Sequence, residues 1–345
     1  MHKTVKIGSK SIGAGQPCYV ISELGGMYYE DIDDMKKMIK ASVDAGADAV
    51  KIQTYKAETI SLPDAEFEFE NGNRMSQYEF FKKYEISEDH HREMMEYACN
   101  LGITFFSTPS DYADVEFLEE LGVPAYKTGS DDLTNYPFLE YIAKKKKPMI
   151  VSTGMCTMDE VEEAVDTIMN TGNDQLILLH CTVSYPPKLE FANLNVIETL
   201  KQAFGLPIGY SNHIDNIFAP VIAATIGASV VEVHFTLDRM LKRQDYQVAF
   251  EPEELKTMIK QIRMIPILKG SGVKRITEPE KKWRRNGRKS LISARSMKTG
   301  EIIQRKDIKI MRPGTGFHVR DLNLLVGRTL QKDIRENEII PFDAF

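Results

Sequence analysis

The sequence predicts a (β/α)8 TIM barrel followed by a small, mostly β domain. Three observations carry the prediction. Eight short apolar runs alternate with segments of helical periodicity, over about the 250 residues that one such barrel takes. Each run turns polar at its C-terminal end, which is where barrels of this kind carry their sites. From about Glu278 the composition changes, first to a basic stretch and then to short strands and turns.

The eight runs are CYVISELG, AVKIQTY, ITFFSTP, AYKTGS, PMIVSTG, LILLHCT, PIGYSNH and VVEVHFT, each bounded by turn signals. Their polar ends are, in the same order, Glu23; Lys51 with Gln53; Ser107 and Thr108; Lys127 with Ser130; Ser152 and Thr153; His180 with Thr182; Ser211 with His213; and His234. Between the runs lie helical patterns. In DIDDMKKMIKASVDAGA, Ile32, Met35, Ile39 and Val43 share one face, and similar periods recur in SEDHHREMMEYACNLG, MDEVEEAVDTIMNTG and EPEELKTMIKQIRMIPIL. Gly46, Gly102, Gly122, Gly172 and Gly227 stand where left-handed C-terminal caps are expected. The KKKK run at 144–147 suits a helix C-terminus, where cations meet the negative end of the dipole.

The interval between the second and third strands, residues 56–87, is long for a barrel connection and rich in aromatics. Its place at a strand C-terminal end predicts a lid over the site. The boundaries that follow are a barrel over residues 1–277, a solvated linker over 278–289 around KKWRRNGRKS, and a small domain over 290–345. Within the small domain MKTGEIIQRKDI is echoed by IRENEIIPFDAF.

Composition excludes several function classes. The chain has 345 residues, 42% hydrophobic and 27% charged, an ordinary globular balance. A net charge of −6 gives no electrostatic footprint for nucleic acid. The N-terminus has no apolar signal region, and no segment approaches the ~18 apolar residues of a membrane span, so a cytoplasmic location is expected. Cys18, Cys99, Cys156 and Cys181 fall in no metal or disulfide spacing and read as reduced core residues. His2, His90, His91 and His318 read as surface residues, and His180 as a satisfied core histidine.

The last strand frames the chemistry. In VVEVHFTLDR, Val231, Val233 and Phe235 share one face while Glu232, His234 and Thr236 share the other. A buried polar face must meet partners, water or a ligand. Taken singly, Lys51 could be a barrel lysine stretching to water and Ser152 a helix cap; the coincidence of eight polar strand ends argues for a site. Lysines and hydroxyls around one mouth suit an anion. His213 and His234 come from adjacent strands, close enough to share a metal whose shell water or substrate oxygens complete.

The motifs SELGG, AGADAVKIQTY, ITFFSTPSD, YKTGSDD, VSTGM, HCTVSYPP, IGYSNH, EVHFTLDR and FEPEEL occur in this order, followed by RRNGRKSL, GEII and KIMRPGTGF. Over nearly the whole chain this resembles the sialic acid (N-acetylneuraminate) synthase family. That family condenses phosphoenolpyruvate (PEP) with N-acetylmannosamine or a related amino sugar to give a nine-carbon 2-keto-3-deoxy acid and phosphate. The resemblance implies that His213 and His234 hold a divalent ion, Mn2+ or Mg2+, which polarises the open-chain sugar aldehyde. It implies that Lys51, Thr108, Lys127, Ser130, Ser152 and Ser211 hold the carboxylate and phosphate of PEP. Glu23 and Asp245 would orient water or move protons, with Gln53 beside Lys51 and with Asn73, Asp132 and Tyr185 near the sugar or the rim.

Three departures from the family pattern occur, at four positions. Met27 and Tyr28 stand where Asn-His is usual, Asp132 where glutamate is frequent, and Val183 where a polar residue is frequent. The small domain resembles the antifreeze-like (SAF) module, whose β-clip fold packs across a domain-swapped homodimer and places the arginine matching Arg312 in the partner's site. Within the family, the resemblance leaves as the alternative a synthase of a related nonulosonic acid, of legionaminic or pseudaminic type, or of a spore-coat or surface-polysaccharide sugar acid. Two readings outside the family compete. A synthase of 3-deoxy-octulosonate or heptulosonate phosphate would lack the RPGTG module, and a non-catalytic binding protein would have no reason to keep Glu23, Lys51, Lys127, His213 and His234 together.

Overall fold

The computed structural model describes residues 3–25, 31–68 and 74–345. These divide into two compact units, residues Met1–Gly270 and Ser271–Phe345.

The first unit opens with an antiparallel hairpin, β1 (Thr4–Ile7) and β2 (Lys10–Gly13), whose Val5, Ile7 and Ile12 join the same core as the barrel interior. The barrel starts with β3 (Tyr19–Glu23) and β4 (Ala49–Thr54). After a short hairpin, β5 (Glu66–Glu68) and β6 (Arg74–Ser76), it continues with β7 (Thr104–Pro109), β8 (Tyr126–Thr128) and β9 (Met149–Ser152). It ends with β10 (Leu176–Cys181), β11 (Ile208–Asn212) and β12 (Val230–His234). All eight pair in parallel in chain order and close β12 onto β3. These are the eight predicted runs. They are strands because they are short, apolar and rich in β-branched residues, and they are buried throughout because helices cover them outside and neighbours inside.

The helices follow the predicted period. Ile32–Ala45 buries Met35, Met38, Ile39 and Ser42 and ends on Gly46 at φ 90°. Thr157 caps Met158–Asn170 through a reciprocal box with Glu160. Tyr136–Ala143 stops at Lys144, as the lysine run predicts.

Several expectations change. His91 is buried, not at the surface: it shares the inner face of Glu88–Asn100 with Met94 and Ala98. Its Nδ1 donates to the Ser87 carbonyl and its Nε2 takes a hydrogen bond from Thr54 Oγ1, both at 2.8 Å. Of the four free cysteines only Cys181 is buried; Cys18 and Cys156 are half-buried and Cys99 is exposed. The described residues of 56–87, by contrast, are ordered as the aromatics of that segment predict, with the antiparallel pair β5–β6 and the helix Gln77–Tyr84. Met27 and Tyr28 lie outside the described residues.

In the second unit, Glu278–Gly287 forms a helix where the charge run read as linker. Its ends explain it: Thr277 and Glu280 form a capping box, acidic residues occupy the first turn, and Arg284 and Arg285 occupy the last. It buries none of its side chains. The antiparallel pair β13 (Ser290–Ser293) and β14 (Ile308–Met311) then encloses a core of Leu291, Met297, Ile303, Ile308, Leu330 and Ile334. The internal echo has a spatial meaning, since Met297 and Ile334, the first residues of the two copies, bridge each other. Arg312 is exposed just beyond β14. Among the described residues, no helix is long and apolar enough to cross a membrane.

Candidate active site

Strand register assembles the site. Parallel pairing sets Glu23 beside Lys51, Gln53 beside Thr108, Ser211 beside Glu232, and His234 beside Glu23. Because alternate residues face inward, seven of the eight strands bring a polar end to the barrel mouth, whereas β10 brings Cys181 and neither His180 nor Thr182 lines the cavity. The predicted site residues of the barrel, Asn73 apart, line one cavity of about 950 Å3. Asn73 lies outside the described residues, and Arg312 belongs to the second unit.

One cluster forms around Lys51. Its ammonium contacts the Glu23 carboxylate and donates to Thr108 Oγ1 at 3.0 Å. Glu23 Oε1 accepts the Gly25 N–H at 2.9 Å and the Gln53 amide at 3.3 Å. This fold-back requires glycine at position 25, since a Cβ there would collide with Glu23 Oε1 and Gln53. A second cluster forms around Lys127, which donates to Ser152 Oγ at 2.6 Å and to the Thr128 carbonyl at 2.9 Å. Glu232 lies 3.9 Å from Lys127 and accepts from Ser211 Oγ at 3.2 Å. Ser130 Oγ accepts the Gly154 N–H at 3.0 Å.

Burial sets the charges. It raises the Glu23 carboxyl above its ordinary value despite Lys51. It acts against the Lys51 ammonium too, but the Glu23 and Glu232 carboxylates outweigh it and hold that pKa up. Lys127 is lowered by burial, whereas Glu232, although buried, is held down by Lys127 and Lys51. Two carboxyls in one pocket are thus shifted in opposite directions, Glu23 up and Glu232 down. Asp245 is pushed up to about 7, chiefly by burial and by Glu23. Asp132, hydrogen-bonded to Asn135, is pushed up to about 6 by burial.

His213 and His234 face each other with ring centroids 5.3 Å apart. Tyr185 stacks on His213 at 4.2 Å. Burial lowers His213 to about 4 and His234 well below its ordinary value, so both imidazoles are neutral at pH 7, the form that binds metal. His213 Nδ1 donates to the Thr182 carbonyl at 2.8 Å, which leaves Nε2 with its lone pair. His234 Nδ1 is buried without a hydrogen bond, 3.6 Å from Asp245 Oδ2. These donors fit a divalent ion. Among the described residues no three His, Cys, Asp or Glu side chains come together as a ligand set, so His213 and His234 would hold such an ion through two nitrogens, with water or substrate oxygens completing the shell.

His180 donates from Nε2 to the Ala192 carbonyl at 2.8 Å and does not line the cavity. Sequence reasoning left out Glu232, although its place two residues before His234 on one strand face was the signal for it. The cavity's aromatic side, Phe67, Phe80, Phe81 and Tyr84, comes from the aromatic-rich 56–87 segment expected beside the site, whereas the stretch 242–247 that flanks Asp245 was left out. Spacing gave no sign of that stretch, because it comes from a connection that varies freely in length.

Residues 38–274 match the NeuB family and residues 288–345 the SAF domain. The N,N'-diacetyllegionaminic acid synthase of Legionella pneumophila is 38% identical, over 95% of this chain and 94% of its own. The N-acetylneuraminate-9-phosphate synthase of Homo sapiens is 33% identical, over 95% of this chain and 93% of its own. The structure of N-acetylneuraminic acid (sialic acid) synthetase from Leptospira borgpetersenii superposes with a TM-score of 0.73 at 31% identity, covering 82% of this chain and 95% of that one. A matched family over most of the barrel, relatives aligned from end to end and a site at the expected strand ends lead to one assignment: the chain belongs to the NeuB family of synthases and ends in an SAF domain.

Proposed function

We propose that the protein condenses PEP with N-acetylmannosamine or a related amino sugar, releasing phosphate and a nine-carbon 2-keto-3-deoxy acid. One observation carries the reading: two buried lysines with their hydroxyl partners face two neutral histidines across one cavity. Lys51 with Thr108, and Lys127 with Ser152, Ser130 and Ser211, hold the carboxylate and phosphate of PEP and fix its C3 against the sugar's C1. A divalent ion, Mn2+ or Mg2+, held by His213 and His234 supplies Lewis-acid polarisation of the aldehyde when bound.

Bond formation between C3 and C1 leaves cationic character at C2, and water adds there. Asp245, pushed up to about 7 by burial, and Glu23, raised by burial, take the proton from that water and supply one to the new alkoxide. The tetrahedral C2 centre then expels phosphate by C–O cleavage, with Lys127 and Lys51 stabilising the departing charge. Asp132, Gln53, Tyr185 and Asn73 serve the sugar and the rim.

A second acceptor, a diacetamido sugar of the legionaminic type, is supported by the Legionella relative and by the aromatic side of the cavity, which suits acetamido methyl groups. The active form is a domain-swapped homodimer in the cytoplasm, where each site borrows Arg312 from the partner. Its small module has a modest core of its own. The test is PEP-dependent phosphate release over a panel of N-acetylated hexosamines, with and without Mn2+. Release only with an unphosphorylated acetamido sugar supports the reading, and release only with a phosphorylated aldose rejects it.

A further inference from the structure

The connection after β12 carries Asp245 on a tip, residues 240–247, that stands over the cavity. The base of this connection is well fixed. Phe235 and Phe250 bridge each other, and Phe250 N–H donates to the His234 carbonyl at 2.8 Å. Arg239 donates to the Ala249 carbonyl at 2.8 Å and pairs with Glu254, while its N–H reaches Glu251 at 3.0 Å.

The tip is different. Its backbone bonds close on itself, as in Tyr246 N–H to the Arg243 carbonyl at 3.3 Å and Val248 N–H to the Asp245 carbonyl at 3.0 Å. Two of its residues, Lys242 at φ 46° and Asp245 at φ 58°, adopt the left-handed backbone without being glycine. Gln244 Oε1 is buried without a hydrogen bond. Such features persist only where the surroundings over-determine the conformation.

Between the two left-handed residues lies Arg243. Its side chain is 10% exposed, and its Nη2 donates at 2.7 Å to Asp34, in the first turn of the helix Ile32–Ala45. Asp34 also accepts from Lys37 at 3.0 Å, and its carboxyl is held below the ordinary value chiefly by Arg243. An arginine at a helix N-terminus opposes the dipole, so the first-turn carboxylate is what makes the contact favourable.

We propose that Arg243 and Asp34 form a positioning latch that ties the tip to the helix after β3 and so fixes Asp245 against His234. This rests on the reading of Asp245 as a site carboxylate. The pair bridges the first and last strand connections of the barrel, which meet where β12 closes onto β3. Arg243 acts through the loop and not as an anion ligand, because its charge is already answered by Asp34.

The test compares Arg243→Ala, Asp34→Ala and the exchanged pair Asp34→Arg with Arg243→Asp in the full-length enzyme. Each single variant is expected to lower kcat about a hundredfold, since a shift of about 1 Å at a catalytic group has that effect. The KM for PEP is expected to stay within about twofold. Amide hydrogen exchange across 240–247 should quicken in both, and the exchanged pair should regain at least tenfold of the lost kcat, a rescue that lost packing would not give. Parental exchange rates across 240–247 in Arg243→Ala overturn the latch. So does a raised KM for PEP with kcat unchanged, which would make Arg243 a substrate contact. Exchange reads the latch without turnover, so quickened exchange in a protein inert toward PEP keeps the latch and rejects the proposed reaction.

Discussion

Glu23 and Lys51 stand opposite each other on neighbouring strands, in ion-pair contact, with 1% and 4% of their side chains exposed. Removing one member of a buried pair leaves the other charge uncompensated, at a cost of about 3 kcal/mol. Lys51→Met is therefore expected to lower the urea midpoint as well as PEP binding. An unchanged midpoint would show that Glu23 takes up a proton without strain and that the pair does not hold the barrel mouth.

Lys127 is the second anchor. Lys127→Met is expected to leave the circular dichroism spectrum unchanged and to weaken PEP binding about a hundredfold, or about 3 kcal/mol, by calorimetry. Equal affinity in variant and parent would place the anion elsewhere.

Metal binding has its own readout. The parent is expected to bind Mn2+ with a changed paramagnetic resonance spectrum, and His234→Ala is expected to lose that change along with turnover. Full activity after chelation would leave both residues as core histidines.

The buried histidines predict an acid limb of stability. Burial pushes the His91 imidazole down to about 4 in the fold, against about 6.5 for a free side chain. Between these values the unfolded chain takes up a proton that the folded chain excludes, so this stability is present above pH 6.5 and is lost as pH falls through 4. At about 1.4 kcal/mol per pH unit the loss is about 3 kcal/mol. Denaturant midpoints should fall across this window in the parent and fall less steeply in His91→Phe; equal slopes would contradict the assignment.

The sequence made the barrel legible because its strands are short apolar runs with polar ends, a pattern that survives without knowledge of contacts. The same pattern located Lys51, Lys127, His213 and His234, since strand register alone brings such ends together. His91 misled because one histidine among charged neighbours looks exposed until the inner face shared with Met94 and Ala98 is seen. The helix at Glu278–Gly287 was hidden by its charge, although its capping box was written in Thr277 and Glu280. Arg243 and Gln244 could not be read, because their meaning depends on how a long connection folds back onto another.

The shared site can be tested by mixing. Arg312→Ala and His234→Ala chains, each inactive alone, are expected to regain activity as heterodimers, because one site then combines an intact barrel with an intact arginine. No recovery after verified subunit exchange would reject the crossing.

The most direct measurement of the central claim is phosphate release from PEP by the purified full-length protein, with Mn2+, against N-acetylmannosamine, a diacetamido hexose and a phosphorylated aldose. The account predicts stoichiometric phosphate and a nine-carbon 2-keto-3-deoxy acid with an unphosphorylated acetamido sugar, abolished by chelation. Release that needs the phosphorylated aldose, or none with any acceptor in a folded, metal-loaded enzyme, would contradict it.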